Sequence, residues 1–141
     1  MRIEMEALEK LEQLLPHRHP MVFIDRLLGR DAHSAMAVKT FAPGDYALVD
    51  GVVAEAALIE CLAQTAAAIG PEAVTHTERA SMGMLVSVDE FVFHGSVREL
   101  DTIELTAEIT QRLAPFCFVR GTVKCGGRLI AEGTFKVMEP A

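Results

Sequence analysis

At 141 residues, half of them hydrophobic, the chain has the size and composition of one globular domain that can bury a core without metals or cross-links. Its formal charge of −7 argues against a nucleic-acid groove. Cys61, Cys117 and Cys125 are odd in number and widely spaced, the five histidines are scattered and no CxxC pair occurs, so neither a disulfide framework nor a metal site is expected.

Taken in chain order, Ile3, Ala7, Leu8, Leu11, Leu14 and Leu15 share one helical face and Pro16 stops it, which predicts a short amphipathic helix over 3–14. Charged residues interrupt this segment, so it lacks the apolar core of an export leader, and a cytoplasmic protein is expected. After the loop 16–20, residues 21–28 and 35–41 read as the two strands of a hairpin, with its turn in 29–34. The turn formers of 42–45 lead through Asp50 and Gly51 into an apolar helix over 52–69, with Asp50 as its N-cap and Gly70 and Pro71 as its stop. Glu55, Glu60 and Gln64 within that run mark it as a buried helix rather than a membrane span. Residues 72–80 are polar and read as a loop.

The C-terminal half carries the clearest strand signals. Ile103, Leu105, Ala107 and Ile109 alternate with polar residues, as do Cys117, Val119, Gly121 and Val123, and Gly126 and Gly127 form a hairpin turn into 129–138. With 82–94 before them, these strands predict a four-strand antiparallel meander. One long helix amid strands on both sides gives an α+β fold, a sheet wrapped around that helix, with alanines at 54, 56, 57, 63, 66, 67 and 68 allowing the close approach. That arrangement is the hot-dog architecture, here in one domain spanning 1–141.

Glu60 and Gln64 lie four residues apart and so project from one face of an otherwise apolar helix. A carboxylate there is costly unless it is paired or used, and desolvation would suit it to act as a general acid near neutral pH. The competing reading places Glu60 at a solvated edge or in a salt bridge.

Residues 15–26, LPHRHPMVFIDR, resemble the signature near the start of the bacterial β-hydroxyacyl-acyl-carrier-protein dehydratases, and 58–64, LIECLAQ, resembles their helix motif. Residues 85–93 and 126–132 are similar to two further family segments, in the same order. The resemblance implies the hot-dog fold and loss of water from a 3-hydroxyacyl thioester carried on acyl carrier protein or coenzyme A. It implies a homo-oligomer, a dimer or trimer of dimers, or a hetero-oligomer with a homologue, and an active site between subunits. Glu60 would protonate the departing hydroxyl and Gln64 would orient it. Backbone N–H groups at the start of the helix would hold the thioester oxygen, and Pro16, Val52, Val53 and Phe91 would contact the substrate.

One departure from the family stands out. The dehydratases carry a catalytic histidine in a loop before the helix, and this sequence has no histidine between His33 and His76. Ungapped counting puts Tyr46 at that place, and aligning 41–44 with the family loop puts Thr40 there. Retention of 16–21, PHRHPM, with a different loop after it is more similar to the dehydratase-like proteins of aryl-polyene-type clusters. His17 is then the candidate base, the competing reading being that His17 and Arg18 tie the loop to backbone and to Asp25. Arg112, Arg120, Lys124 and Arg128, with no acidic residue between 109 and 131, are a candidate docking patch for acidic acyl carrier protein, or else solvate the outer strand face. A supporting subunit paired with an active homologue and a hot-dog thioesterase are the alternative functions.

Overall fold

The computed structural model describes residues 23–70 and 84–138. The expected helix over 3–14, the loop 16–20 with Pro16, His17 and His19, and the polar stretch 72–80 with His76 lie outside them. Among the described residues, nine strands and one helix follow in chain order: β1 (Arg26–Arg30), β2 (Ser34–Thr40), β3 (Leu48–Val49), β4 (Val52–Val53), α1 (Glu55–Ala67), β5 (Met84–Val88), β6 (Val92–Phe93), β7 (Thr102–Leu113), β8 (Phe116–Cys125) and β9 (Arg128–Met138). All but β3 and β4 join one antiparallel sheet in the order β1-β2-β7-β8-β9-β5, with β6 also on β9. The helix packs on β2, β7 and β8, so the α+β hot-dog arrangement holds.

Period-two alternation builds the face that receives the helix. Ala35 and Ala37, then Ile103, Leu105 and Ala107, then Cys117, Val119 and Val123 are buried, while Glu104, Glu108, Arg120 and Lys124 between them are exposed. The β8–β9 hairpin turns on Gly126 and Gly127, whose φ angles of 58° and 80° place both residues in the left-handed region that this two-residue turn requires. Across from it, the helix presents Ala57, Leu58, Cys61, Leu62, Gln64 and Thr65.

The helix starts at Glu55 rather than at 52, and Asp50 is not its cap. Asp50 and Gly51, at φ 52° and 77°, form the two-residue turn between β3 and β4, where Asp-Gly is a favoured pair. Val52 and Val53 extend that hairpin, and Ala54 occupies the cap position without a side-chain bond. Of the alanines expected to allow the close approach, Ala57 and Ala68 are buried and Ala54, Ala66 and Ala67 pack against the core, while Ala56 is exposed. The sheet contributes as well, since a Cβ on Gly121 of β8 would stand 2.9 Å from Leu62 Cδ1.

The expected four-strand meander is a three-strand one. The 82–94 segment divides into β5 and β6, and both pair with β9 rather than with β7. Residues 89–91 bulge between them over Gly133, where a Cβ would lie 2.6 Å from the Glu90 carbonyl oxygen. Helix and sheet edge are tied at the helix end, where Arg30 Nε donates to Ala68 O at 2.7 Å and Gly70 N–H to Asp31 O at 2.8 Å.

Candidate active site on the central helix

The periodicity of α1 sets Glu60 and Gln64 one above the other. Gln64 is fully buried and Glu60 half-buried. A buried primary amide needs partners at both ends. Gln64 Nε2 donates to Glu60 Oε1 at 3.1 Å, and Gln64 Oε1 accepts the Phe23 main-chain N–H at 2.8 Å. Because a main-chain N–H can only donate, the amide is oriented with its NH2 toward Glu60. Glu60 Oε1 is therefore held as an acceptor of the Gln64 amide.

At the helix entry, the N–H groups of Val53 and Ala54 already donate to Val97 O (2.8 Å) and Ala47 O (3.0 Å). Val52 and Val53 thus lie one strand before the helical turn whose donors were expected to hold a thioester oxygen. The donors of the first turn proper are those of Glu55 and Ala56, both exposed, since the helix's own bonds begin at Ala57 N–H to Ala54 O. Phe91 is half-buried, its ring 5.4 Å from that of Phe93, with Cδ2 against the place a Gly133 Cβ would take.

Neither position aligned with the family histidine supplies an imidazole. Tyr46 is 58% exposed with its ring edge-on to Phe23 at 5.8 Å, and the Thr40 hydroxyl bonds that of Thr102 at 2.7 Å. His33 stands in the β1–β2 turn, and the His94 ring meets Glu132 at 3.1 Å beside β9. Cys61, next to Glu60, is buried, and burial pushes its thiol up to about 12, so no thiolate nucleophile forms there near neutral pH.

The four basic residues are dispersed. Arg112 and Arg128 pair in register with Cys117 and Cys125, at opposite ends of β8, roughly 26 Å apart at the usual rise of a strand. Arg120 faces Glu108 across the strands and binds Glu132 at 3.1 Å, Lys124 faces Glu104, and Arg112 donates to Ala32 O at 3.0 Å. Glutamates from β7 and β9, which the 109–131 window left out, thus interleave with the cations.

Lys39, Asp45 and Phe23 are site neighbours that sequence reasoning did not single out, and Asp25 was considered only as a tie for His17 and Arg18. The available signal was Lys39 itself, which follows Ala35 and Ala37 in the row of β2 that faces the helix. Among the described residues no group of three or more potential ligands could hold a metal ion, and no helix is long and apolar enough to cross a membrane.

A sheet wrapped round one helix that carries an oriented Glu-Gln pair defines a hot-dog domain of the dehydratase type. A family profile described as ApeP-like, ApeP dehydratase, matches residues 9–141. The chain belongs to the ApeP-like dehydratase family. It is 29% identical, over 97% of its length and 94% of the relative's, to the 3-hydroxyacyl-[acyl-carrier-protein] dehydratase FabZ of Bradyrhizobium diazoefficiens. In fold it is similar to a chain of the dehydratase heterocomplex ApeI:P from Xenorhabdus doucetiae, with TM-score 0.80, 18% identity and coverage of 93% of this chain and 91% of that one. A hypothetical thioesterase from Streptococcus pneumoniae, with coenzyme A, shares the fold at TM-score 0.65 and 9% identity, covering 82% of this chain and 88% of that one.

Proposed function

We propose that this chain dehydrates a 3-hydroxyacyl group presented as a thioester of acyl carrier protein, with Glu60 as the general acid. The observation that carries the reading is the orientation of Gln64, whose buried amide turns its NH2 to Glu60 Oε1 on the central helix. In the reaction a base takes the α-proton, the C–O bond at the β-carbon breaks as Glu60 gives its proton to the leaving hydroxyl, and enoyl thioester and water result. In this reading the Glu55 and Ala56 N–H groups, which precede the first of the helix's own bonds at Ala57, receive the charge that develops on the thioester oxygen. His17 is the candidate base. The FabZ relatives, enzymes of 3-hydroxyacyl-acyl-carrier-protein dehydration by name, support the substrate class, and the match to the ApeP-like profile supports dehydration.

A second reading has the chain act in an oligomer with a homologue that supplies the base. It is favoured by Tyr46 and Thr40 where the family has its histidine, and by the named heterocomplex among the fold neighbours. One experiment addresses both. The purified protein is incubated with 3-hydroxyacyl-carrier substrate, as wild type, Glu60→Gln and His17→Ala, and both enoyl formation and thioester cleavage are followed. Enoyl formation lost in Glu60→Gln and His17→Ala supports the first reading. Activity that appears only with an added homologous dehydratase supports the second, and thioester cleavage without enoyl product defeats both in favour of a thioesterase.

A further inference from the structure

Lys39 occupies the third helix-facing position of β2, after Ala35 and Ala37, with its side chain only 13% exposed. An inward lysine is costly unless its charge is met. Its ammonium lies 3.5 Å from Asp25 Oδ1 and 3.4 Å from Asp45 Oδ2, and 5.4 Å over the Phe41 ring. Each carboxylate spends its other oxygen on the backbone: Asp25 Oδ2 accepts from Thr40 N–H at 2.7 Å, and Asp45 Oδ1 from Ala47 N–H at 2.9 Å. Lys39 thereby joins two segments that lie far apart in sequence, 23–25 and the loop 42–47, and the edge contact of Phe23 with Tyr46 at 5.8 Å joins them a second time. The segment held in this way is the one that delivers the Phe23 N–H to Gln64.

We propose that Lys39 is a positioning residue for Glu60: by clamping Asp25 to Asp45 it holds Phe23 against Gln64, and so keeps the Gln64 amide turned toward the carboxyl. It does not touch the reacting atoms. The kinetic part of this inference rests on the dehydratase reading, whereas the structural part does not. In Lys39→Met the Phe23 amide exchanges with solvent faster, by about tenfold or more, and kcat falls by a similar factor with KM little changed, as expected when a reacting group is misplaced. Lys39→Arg keeps the charge and restores most of both. In a Gln64→Leu background Lys39→Met costs no more than about twofold in kcat, because its effect passes through Gln64.

A folded Lys39→Met with unchanged Phe23 exchange overturns the proposal, as does an equal kcat penalty with and without Gln64. Should Lys39→Met fail to fold, Asp45→Asn removes one arm of the clamp, and unchanged Phe23 exchange in that variant is equally fatal. If the wild-type protein turns over no substrate, the dehydratase reading fails by itself and the exchange rates alone decide the role of Lys39.

Discussion

Gln64 donates to Glu60 Oε1 at 3.1 Å from a fully buried position, and the Phe23 main chain holds the other end of the same amide. Gln64→Leu removes both bonds at once. It leaves the Phe23 N–H without this acceptor, at about 1–3 kcal/mol, and takes from the carboxyl the bond that the amide supplies. The expected outcome is a folded but less stable protein in chemical denaturation, with kcat reduced more than KM is raised.

Two glycines make opposite demands on their neighbours. A Cβ at Gly121 meets the ends of the Leu62 side chain, the nearest atom 2.9 Å away, and these can shift. A Cβ at Gly133 meets backbone, with the Glu90 carbonyl oxygen and Phe91 Cα both at 2.6 Å, and these cannot shift without moving the bulge. Gly121→Ala should therefore cost about 1–3 kcal/mol, the usual range for overpacking, and Gly133→Ala more. Denaturation midpoints of the two variants check the order, and Gly121→Ala combined with Leu62→Ala should be less destabilised than the sum of the two single changes.

Desolvation is the main reason that the Cys61 thiol is pushed up to about 12 from its ordinary 9.0, with the Glu60, Asp25 and Asp45 carboxylates adding to it and Lys39 opposing. A group whose folded value is raised contributes stability that is fully present below the unfolded value and lost as pH rises. The window here runs from about 9 to about 12. Wild type should lose stability faster than Cys61→Ala across that window, by up to about 1.4 kcal/mol per pH unit. At pH near 8 a thiol reagent should leave Cys61 unmodified until the protein unfolds.

Asp31 closes the β1–β2 turn, its Oδ1 accepting the N–H groups of His33 and Ser34, both at 2.8 Å. These bonds, that of His33 foremost, hold its carboxyl below the ordinary 3.8. The sign is opposite to that of Cys61: the stability is present above the unfolded value and lost as pH falls through the lower folded one. Asp31→Ala should therefore melt below wild type at neutral pH, and the two melting temperatures should converge in acid below 3.8.

Short-range pattern made much of this fold legible. Alternation marked β7 and β8, paired glycines marked the hairpin into β9, and spacing of four placed Glu60 and Gln64 on one face. Val52 and Val53 misled because a β-branched apolar pair fits a strand end as well as a helix start, and Asp50 and Gly51 fit a hairpin turn better than a cap. The glutamates that stand beside Arg120 and Lys124, which are Glu104, Glu108 and Glu132, come from neighbouring strands and lie outside the run of 109–131.

By itself, then, the sequence determined the body of the central helix, the long strands β7, β8 and β9, and the place of Glu60 on that helix, since these follow from local periodicity and turn residues. Only the tertiary structure decided that β5 lies against β9, that Gly121 lets Leu62 reach the sheet, and that Phe23 turns the amide of Gln64, 41 residues away, toward Glu60. Those relationships depend on which distant strand fills each edge and each buried polar group, and no local pattern carries that choice.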